Sequence, residues 1–247
     1  MQTAIKKTGA LQYIGIDGCR SGWFYAGMDP DGIVWFDIIP GIDHIQQFAD
    51  KDCVILIDIP MGLKKGPGGR ACDREARKLL KKKGSSIFPA PSRAALAAAT
   101  YREACRLNQK HTGKKLSIQS FNIMSKIREV DQFLRNPKRT VQLYEFHPEL
   151  GFLALNQFKP LTHSKKTPEG RQERTAVLEC YVEGTSNIIS RASQRFLRKH
   201  LALDDIIDAL AGLISARFKE RLISLPAIAD IDEYGIEMTI VYPKVDG

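Results

Sequence analysis

The sequence predicts an α/β protein, and three features carry that expectation. The run Tyr13-Ile14-Gly15-Ile16-Asp17-Gly18 reads as a buried strand that ends on a single carboxylate. A second run, Val54-Ile55-Leu56-Ile57-Asp58, is continuous rather than alternating, as expected of a strand covered on both faces. Between and after such runs come stretches with helical propensity or a helical period.

In chain order, a short basic tail precedes the first strand. Residues 22–28 and 33–39 are aromatic-rich runs around Asp29-Pro30-Asp31-Gly32, so they read as a β-hairpin. Strands one to three then form an antiparallel meander. Residues 42–50 suit a short helix. Pro60 and Gly62 stop the fourth strand, and residues 62–69, glycine-rich and basic, read as a mobile loop. Residues 70–83 predict a helix and 84–92 an ordered loop. The alanine-rich stretch 93–107 predicts a helix on propensity. Another helix over 116–135 is stopped by Asn136-Pro137.

Val141-Gln142-Leu143-Tyr144-Glu145 returns to alternation as strand five, and Pro148 sits where a helix begins. Residues 161–170 form a polar, lysine-bearing loop, followed by a helix to about 183. Leu203, Ile207, Leu210, Ile214 and Phe218 make the apolar stripe of the last long helix. Residues 235–242 suit a late edge strand. With no internal repeat and no long linker, residues 1–247 read as one domain, with a helical insertion at about 61–137.

A chain of 247 residues can bury a large core, and 43% hydrophobic with 26% charged residues is an ordinary globular balance. No apolar run approaches the roughly 20 residues that span a bilayer, and the first ten residues lack the apolar core of a signal peptide. Five scattered cysteines with no C-x-x-C pair fit reduced thiols in a cytoplasmic protein rather than disulfides or a zinc site. The excess of 37 basic over 28 acidic residues, a net +9, favours a polyanionic partner such as nucleic acid.

Four places offer carboxylates for one site. Asp17 and Asp58 each end an apolar strand, and parallel pairing of those strands would bring both to one edge of the sheet. Asp205 and Asp208, three apart on a helix, share a face. Glu145 closes strand five. Hard divalent ions prefer carboxylate and water ligands, and phosphodiester hydrolysis by two metals needs several such ligands on rigid elements. Without metal, the packed carboxylates would repel and at least one pKa would rise. Each also has a plainer reading. Asp17 suits a cap on its glycine turn, Asp58 a turn before Pro60, and Glu145 a solvent-facing strand position. Asp204 suits a helix N-cap and Asp205 the positive end of the helix. Asp208 resists such a reading, because apolar residues surround it in sequence. Glu149 is a second-choice ligand, and His147 a proton-shuttle candidate.

Several stretches together resemble the DUF429 family. They are residues 13–23 (YIGIDGCRSGW), 58–63 (DIPMGL), 70–77 (RACDREAR), 84–91 (GSSIFPAP), 145–149 (EFHPE) and 204–210 (DDIIDAL). Members of that family are described as predicted nucleases with a ribonuclease H-like fold. The resemblance implies a mixed five-stranded sheet of order 3-2-1-4-5, with strands one to three antiparallel and strands four and five parallel to the first. It also implies roles. Asp17 would bridge two metals, Asp58 would be the acid at the end of strand four, and Asp205 with Asp208 would match the last-helix pair of RuvC-type resolvases. Glu145 is an addition to that pattern, and the large helical insertion departs from minimal ribonuclease H.

Arg70, Arg74, Arg77 or Lys78, and Lys81 recur at helical spacing and would form a basic face for phosphate contacts, followed by Lys82 and Lys83. Lys165 and Lys166, with Arg171 and Arg174, could reach a phosphate across the carboxylates. Gly66-Pro67-Gly68-Gly69 lacks the Walker spacing and reads as a hinge. The leading expectation is therefore a metal-dependent nuclease using Mg²⁺ or Mn²⁺, with Asp17, Asp58, Asp205 and Asp208 as ligands. An ATP-using phosphotransferase of the actin and sugar-kinase type shares the core fold, but its second half and adenosine motifs are not found. A non-catalytic nucleic-acid-binding module is the third reading.

Overall fold

Five strands form the central sheet of the computed structural model, which describes residues 11–245; the expected basic tail lies outside the described residues. The strands are β1 (Leu11–Cys19), β2 (Gly22–Met28), β3 (Val34–Ile39), β4 (Ala49–Ile57) and β5 (Leu143–Glu145), in the order β3-β2-β1-β4-β5. β1 pairs antiparallel with β2 and β2 with β3, while β1–β4 and β4–β5 are parallel. The turn at Asp29 closes the hairpin through its own carboxylate, which accepts from the N–H groups of Asp31 and Ile33 at 3.1 and 2.9 Å. Order and directions are those expected of a ribonuclease H-like sheet.

Strand alternation splits the core into two layers. Ile14, Ile16, Ile55, Ile57 and Leu143 face one side. There they meet the 3-10 turn Ile42–Gln47 and helix α4 (Met124–Leu134), the last of four insertion helices. The others are α1 (Ala71–Leu80), α2 (Tyr101–Thr112) and α3 (Ile118–Asn122). Phe24, Ala26, Val54 and Leu56 face the other side, against α5 (Pro148–Leu155), α6 (Pro168–Glu179), α7 (Thr185–Arg195) and α8 (Leu203–Ala216). A two-stranded sheet of β6 (Leu222–Ile231) and β7 (Glu237–Pro243) packs on α1.

α8 is seated by two glycines. A Cβ on Gly15 of β1 would lie 2.0 Å from the Ala209 carbonyl and 2.2 Å from the Leu213 nitrogen, and one on Gly212 would lie 3.0 Å from the Gly15 Cα. The helix therefore crosses directly on the central strand. Only glycine allows that approach.

Some expectations are corrected. Residues 93–107 are not one helix. Arg93–Ala97 is a 3-10 turn, and α2 starts afresh at Tyr101, where the Thr100 hydroxyl accepts from the Glu103 N–H. Arg93 explains the break. Its guanidinium is drawn to Asp131 and Asp232 on separate elements, which outweighs alanine propensity. The helix expected over 70–83 ends at Leu80, because Lys81 turns into the left-handed region with φ of 51°. The helix expected over 116–135 divides at Ile123, and residues 42–50 hold a 3-10 turn and the start of β4. α7 and β6 had no counterpart in the sequence reading. The late strand is real but pairs with β6, touching the main sheet through one bridge between Val241 and Phe146. No helix among the described residues is long and apolar enough to cross a membrane.

Candidate active site

Parallel pairing of β1 with β4 sets the first two carboxylates side by side. Ile16 pairs with Ile57, and the Asp58 N–H donates to the Ile16 carbonyl at 3.1 Å, so Asp17 and Asp58 leave the same edge of the sheet. Both follow the alternation of Gly15 and Leu56 and face α8. On α8, Asp208 is one turn before Gly212 and Asp205 nearly two, so the glycine contact that seats the helix also hangs these acids over the strand ends.

Electrostatics record the crowding. Burial raises Asp17 well above the usual carboxylate range, and the charges of Asp58, Asp208 and Asp205 raise it further. Burial and Asp208 push Asp58 up to about 7. Asp205 rises to about 6 through burial, although it accepts from the Ala202 N–H at 2.9 Å. That bond makes Asp205 a capping group at the third position of α8 as well as a member of the cluster. Asp204 is not the N-cap; Ala202 occupies that position. Asp208 is buried and raised, and Lys165 holds its Oδ2 at 2.6 Å. The Lys165 ammonium is in turn raised by Asp208, Asp17 and Asp58, against the opposing effect of burial. A loop lysine expected to reach phosphate thus stands among the acids as their counter-charge.

Glu145 lines the same cavity as Asp17 and Asp58, and its charge adds to the rise of Asp58, but as the partner of Ile57 across β4–β5 it is engaged from the other side of the strand end. There Arg70 grips it with two donors at 2.6 and 2.7 Å, and the Met61 N–H donates at 2.6 Å. Arg70 lines the cavity too, but at 3% exposure its guanidinium is engaged by Glu145, Asp73 and the Met61 carbonyl. Arg74 is exposed but donates to the Gly68 and Gly69 carbonyls, and Arg77 donates to the Ile87 carbonyl. The expected basic face on α1 is thus largely folded into local contacts, leaving Lys81 and Lys82 exposed.

Asp17 and Asp58 open into a cavity of about 680 Å³ that is also lined by Glu145, His147 and a basic wall of Lys82, Lys83, Lys126, Lys165 and Lys166. Glu149 accepts from Arg174 and lies 3.1 Å from Lys83; these cations hold it below the usual range despite burial. Burial pushes His147 down to about 4, leaving a neutral ring whose Nδ1 has no hydrogen-bond partner. Lys126 escaped the sequence reading. Its one local signal is Gly18, where a Cβ would lie 2.7 Å from the Lys126 Cδ.

Among the described residues, no three His, Cys, Asp or Glu side chains stand as a ready set around one ion. The donor chemistry nevertheless fits a hard divalent cation. Burial, with neighbouring carboxylates second, raises the pKa of all four carboxylates on two strand ends and one helix, and positive charge offsets that. The family model described as "Protein of unknown function (DUF429)" matches residues 15–230. The chain belongs to the DUF429 family. No curated protein and no solved structure matches it. The DUF429 match takes in every candidate acid and base named above, from Asp17 to Asp208.

Proposed function

We propose that this DUF429 protein is a metal-dependent nuclease that hydrolyses phosphodiester bonds in the cavity at the ends of β1 and β4. The observation that carries the reading is that Asp17 and Asp58 line a lysine-walled cavity with Asp205 and Asp208 close enough to act on Asp17. Those four carboxylates would hold Mg²⁺ or Mn²⁺. Such ions supply Lewis acidity to the phosphoryl group and lower the pKa of the attacking water. Lys126 and Lys166 draw the phosphate chain into the cavity and offset its charge, while Lys165 holds Asp208. His147 lines the cavity as a neutral ring at pH 7, with a buried Nδ1 that can hold a proton-bearing ligand group by accepting a hydrogen bond. The partner is nucleic acid and the setting cytoplasmic, in line with the net charge of +9 and the scattered free thiols.

The test is a panel of labelled single-stranded, duplex, hybrid and junction nucleic acids, incubated with Mg²⁺, Mn²⁺ or EDTA. Metal-dependent cleavage of at least one substrate is expected. Metal binding with no cleavage of any of them would sink the reading and move weight to a small phosphoester.

A further inference from the structure

A second cavity of about 460 Å³ adjoins the first and shares Gly18, Asn122 and Lys126 with it. Asp17 and Asp58 line the first cavity and Asp205 the second, so the acid cluster sits at their divide. Arg20, directly after β1, forms one wall of the second cavity, and Arg198 with His200, between α7 and α8, forms the other. Both arginines are exposed, and neither makes a hydrogen bond or ion pair among the described residues. His200 Nδ1 lies 2.6 Å from the Ser21 Oγ and ties the two walls together. Lys126 is fixed where the cavities meet. It donates to the Gly22 carbonyl, lies 4.2 Å over the Trp23 ring, and rests its stem on Gly18.

Three cationic side chains thus face one carboxylate in a space of their own, beside the acids. They come from three separate parts of the chain, so no charge run in the sequence marks them. Two unengaged guanidiniums are suited to phosphate oxygens, which they can bind by paired donors. A ligand with a single phosphate at the acid cluster would leave this cavity unused.

We propose that the second cavity binds a backbone phosphate next to the one at the carboxylates, which makes the substrate a polynucleotide strand rather than a mononucleotide or small phosphoester. The proposal rests on the phosphodiesterase reading of the first cavity. Lys126 spans both subsites, and Arg20 and Arg198 set the grip on the neighbouring phosphate.

Fluorescence anisotropy of a labelled single-stranded oligonucleotide, with a labelled mononucleotide beside it, tests this across a salt series. Wild-type protein is expected to prefer the oligonucleotide by at least about tenfold. The pair Arg20→Ala and Arg198→Ala should cut that preference to under about threefold. It should also lower the salt slope by about one per arginine. The pair Arg20→Lys and Arg198→Lys should recover much of the slope. A wild type without preference, or an alanine pair that keeps it, overturns the proposal. Binding through both arginines with no cleavage in any metal would retain this subsite and sink the nuclease reading. Cleavage that ignores both arginines would do the reverse.

Discussion

Asp17, Asp58, Asp205 and Asp208 are the residues on which the account turns, and their crowding has a thermodynamic signature. Each binds its proton more tightly in the folded chain than unfolded, with Asp58 near 7 and Asp205 near 6. The folded state therefore takes up more protons between the ordinary carboxylate range and about 7. Stability from this source is present at low pH and lost as pH rises through those values. Metal-free protein should melt progressively lower from pH 5 to pH 8, and Mg²⁺ should flatten the trend. Asp58→Asn should raise the melting temperature at pH 8, by about 2–4 °C for each kcal/mol of relieved repulsion. Calorimetry across pH reads this, and a flat metal-free profile would contradict it. Lys165→Met is the complementary case. It leaves Asp208 uncompensated, at a cost of about 1–2 kcal/mol, discounted because the lysine end is 37% exposed. The melting shift produced by Mg²⁺ should then be larger than in wild type, and an equal shift would count against the role assigned to Lys165. At this scale the sequence was legible where a carboxylate closes an apolar run. It could not show that Glu145 and Arg70, although both line the cavity, are bound to each other there, because that pairing joins residues 75 positions apart. Lys126 could not be found, because its value comes from a contact with Gly18, far away in sequence.

α8 and β1 form the element pair that builds the site. The helix reads as an amphipathic stripe, yet all of Ile206–Ala216 is buried, as fits a helix laid across the middle of the sheet. Gly15 and Gly212 permit that contact, and nothing local to either glycine marks that the two meet. Gly15→Ala would force a Cβ to 2.0 Å from a carbonyl oxygen, so α8 must shift off the strand. The expected loss is at least about 1–3 kcal/mol by denaturant titration, with weaker metal binding because Asp205 and Asp208 move with the helix. Unchanged stability together with unchanged metal affinity would mean that the contact does not position the site. Strands with apolar β-branched runs were legible because burial dictates their composition. The alanine-rich stretch 93–107 misled, because an ion-pairing arginine broke a segment that propensity alone makes helical. β6 was missed because it is largely solvent-edged and carries Pro226, so its composition lacks the signal of a covered strand.

The whole molecule places one acidic centre beneath a lysine-bearing wall, in a chain with net charge +9. The order β3-β2-β1-β4-β5 does this by topology: the two parallel strands next to the centre end at the same edge, and the last helix returns across them. The order could be anticipated from the family resemblance. The pocket wall could not, since its lysines come from the segment after α1, from α4 and from the loop before α6. Nucleic-acid affinity should fall steeply with salt, with a log–log slope of several units, and a salt-independent affinity would contradict an electrostatic footprint. The most direct measurement compares wild type and Asp17→Asn on labelled nucleic acid, with and without Mg²⁺ or Mn²⁺. Asparagine keeps the Oδ1 that accepts from the Gly18 N–H at 2.7 Å, so the fold is preserved while the charge is lost. Metal-dependent cleavage by wild type is expected, with a drop of at least about a hundredfold in Asp17→Asn, consistent with the scale of electrostatic stabilisation at such sites. Equal cleavage by the two proteins would contradict it.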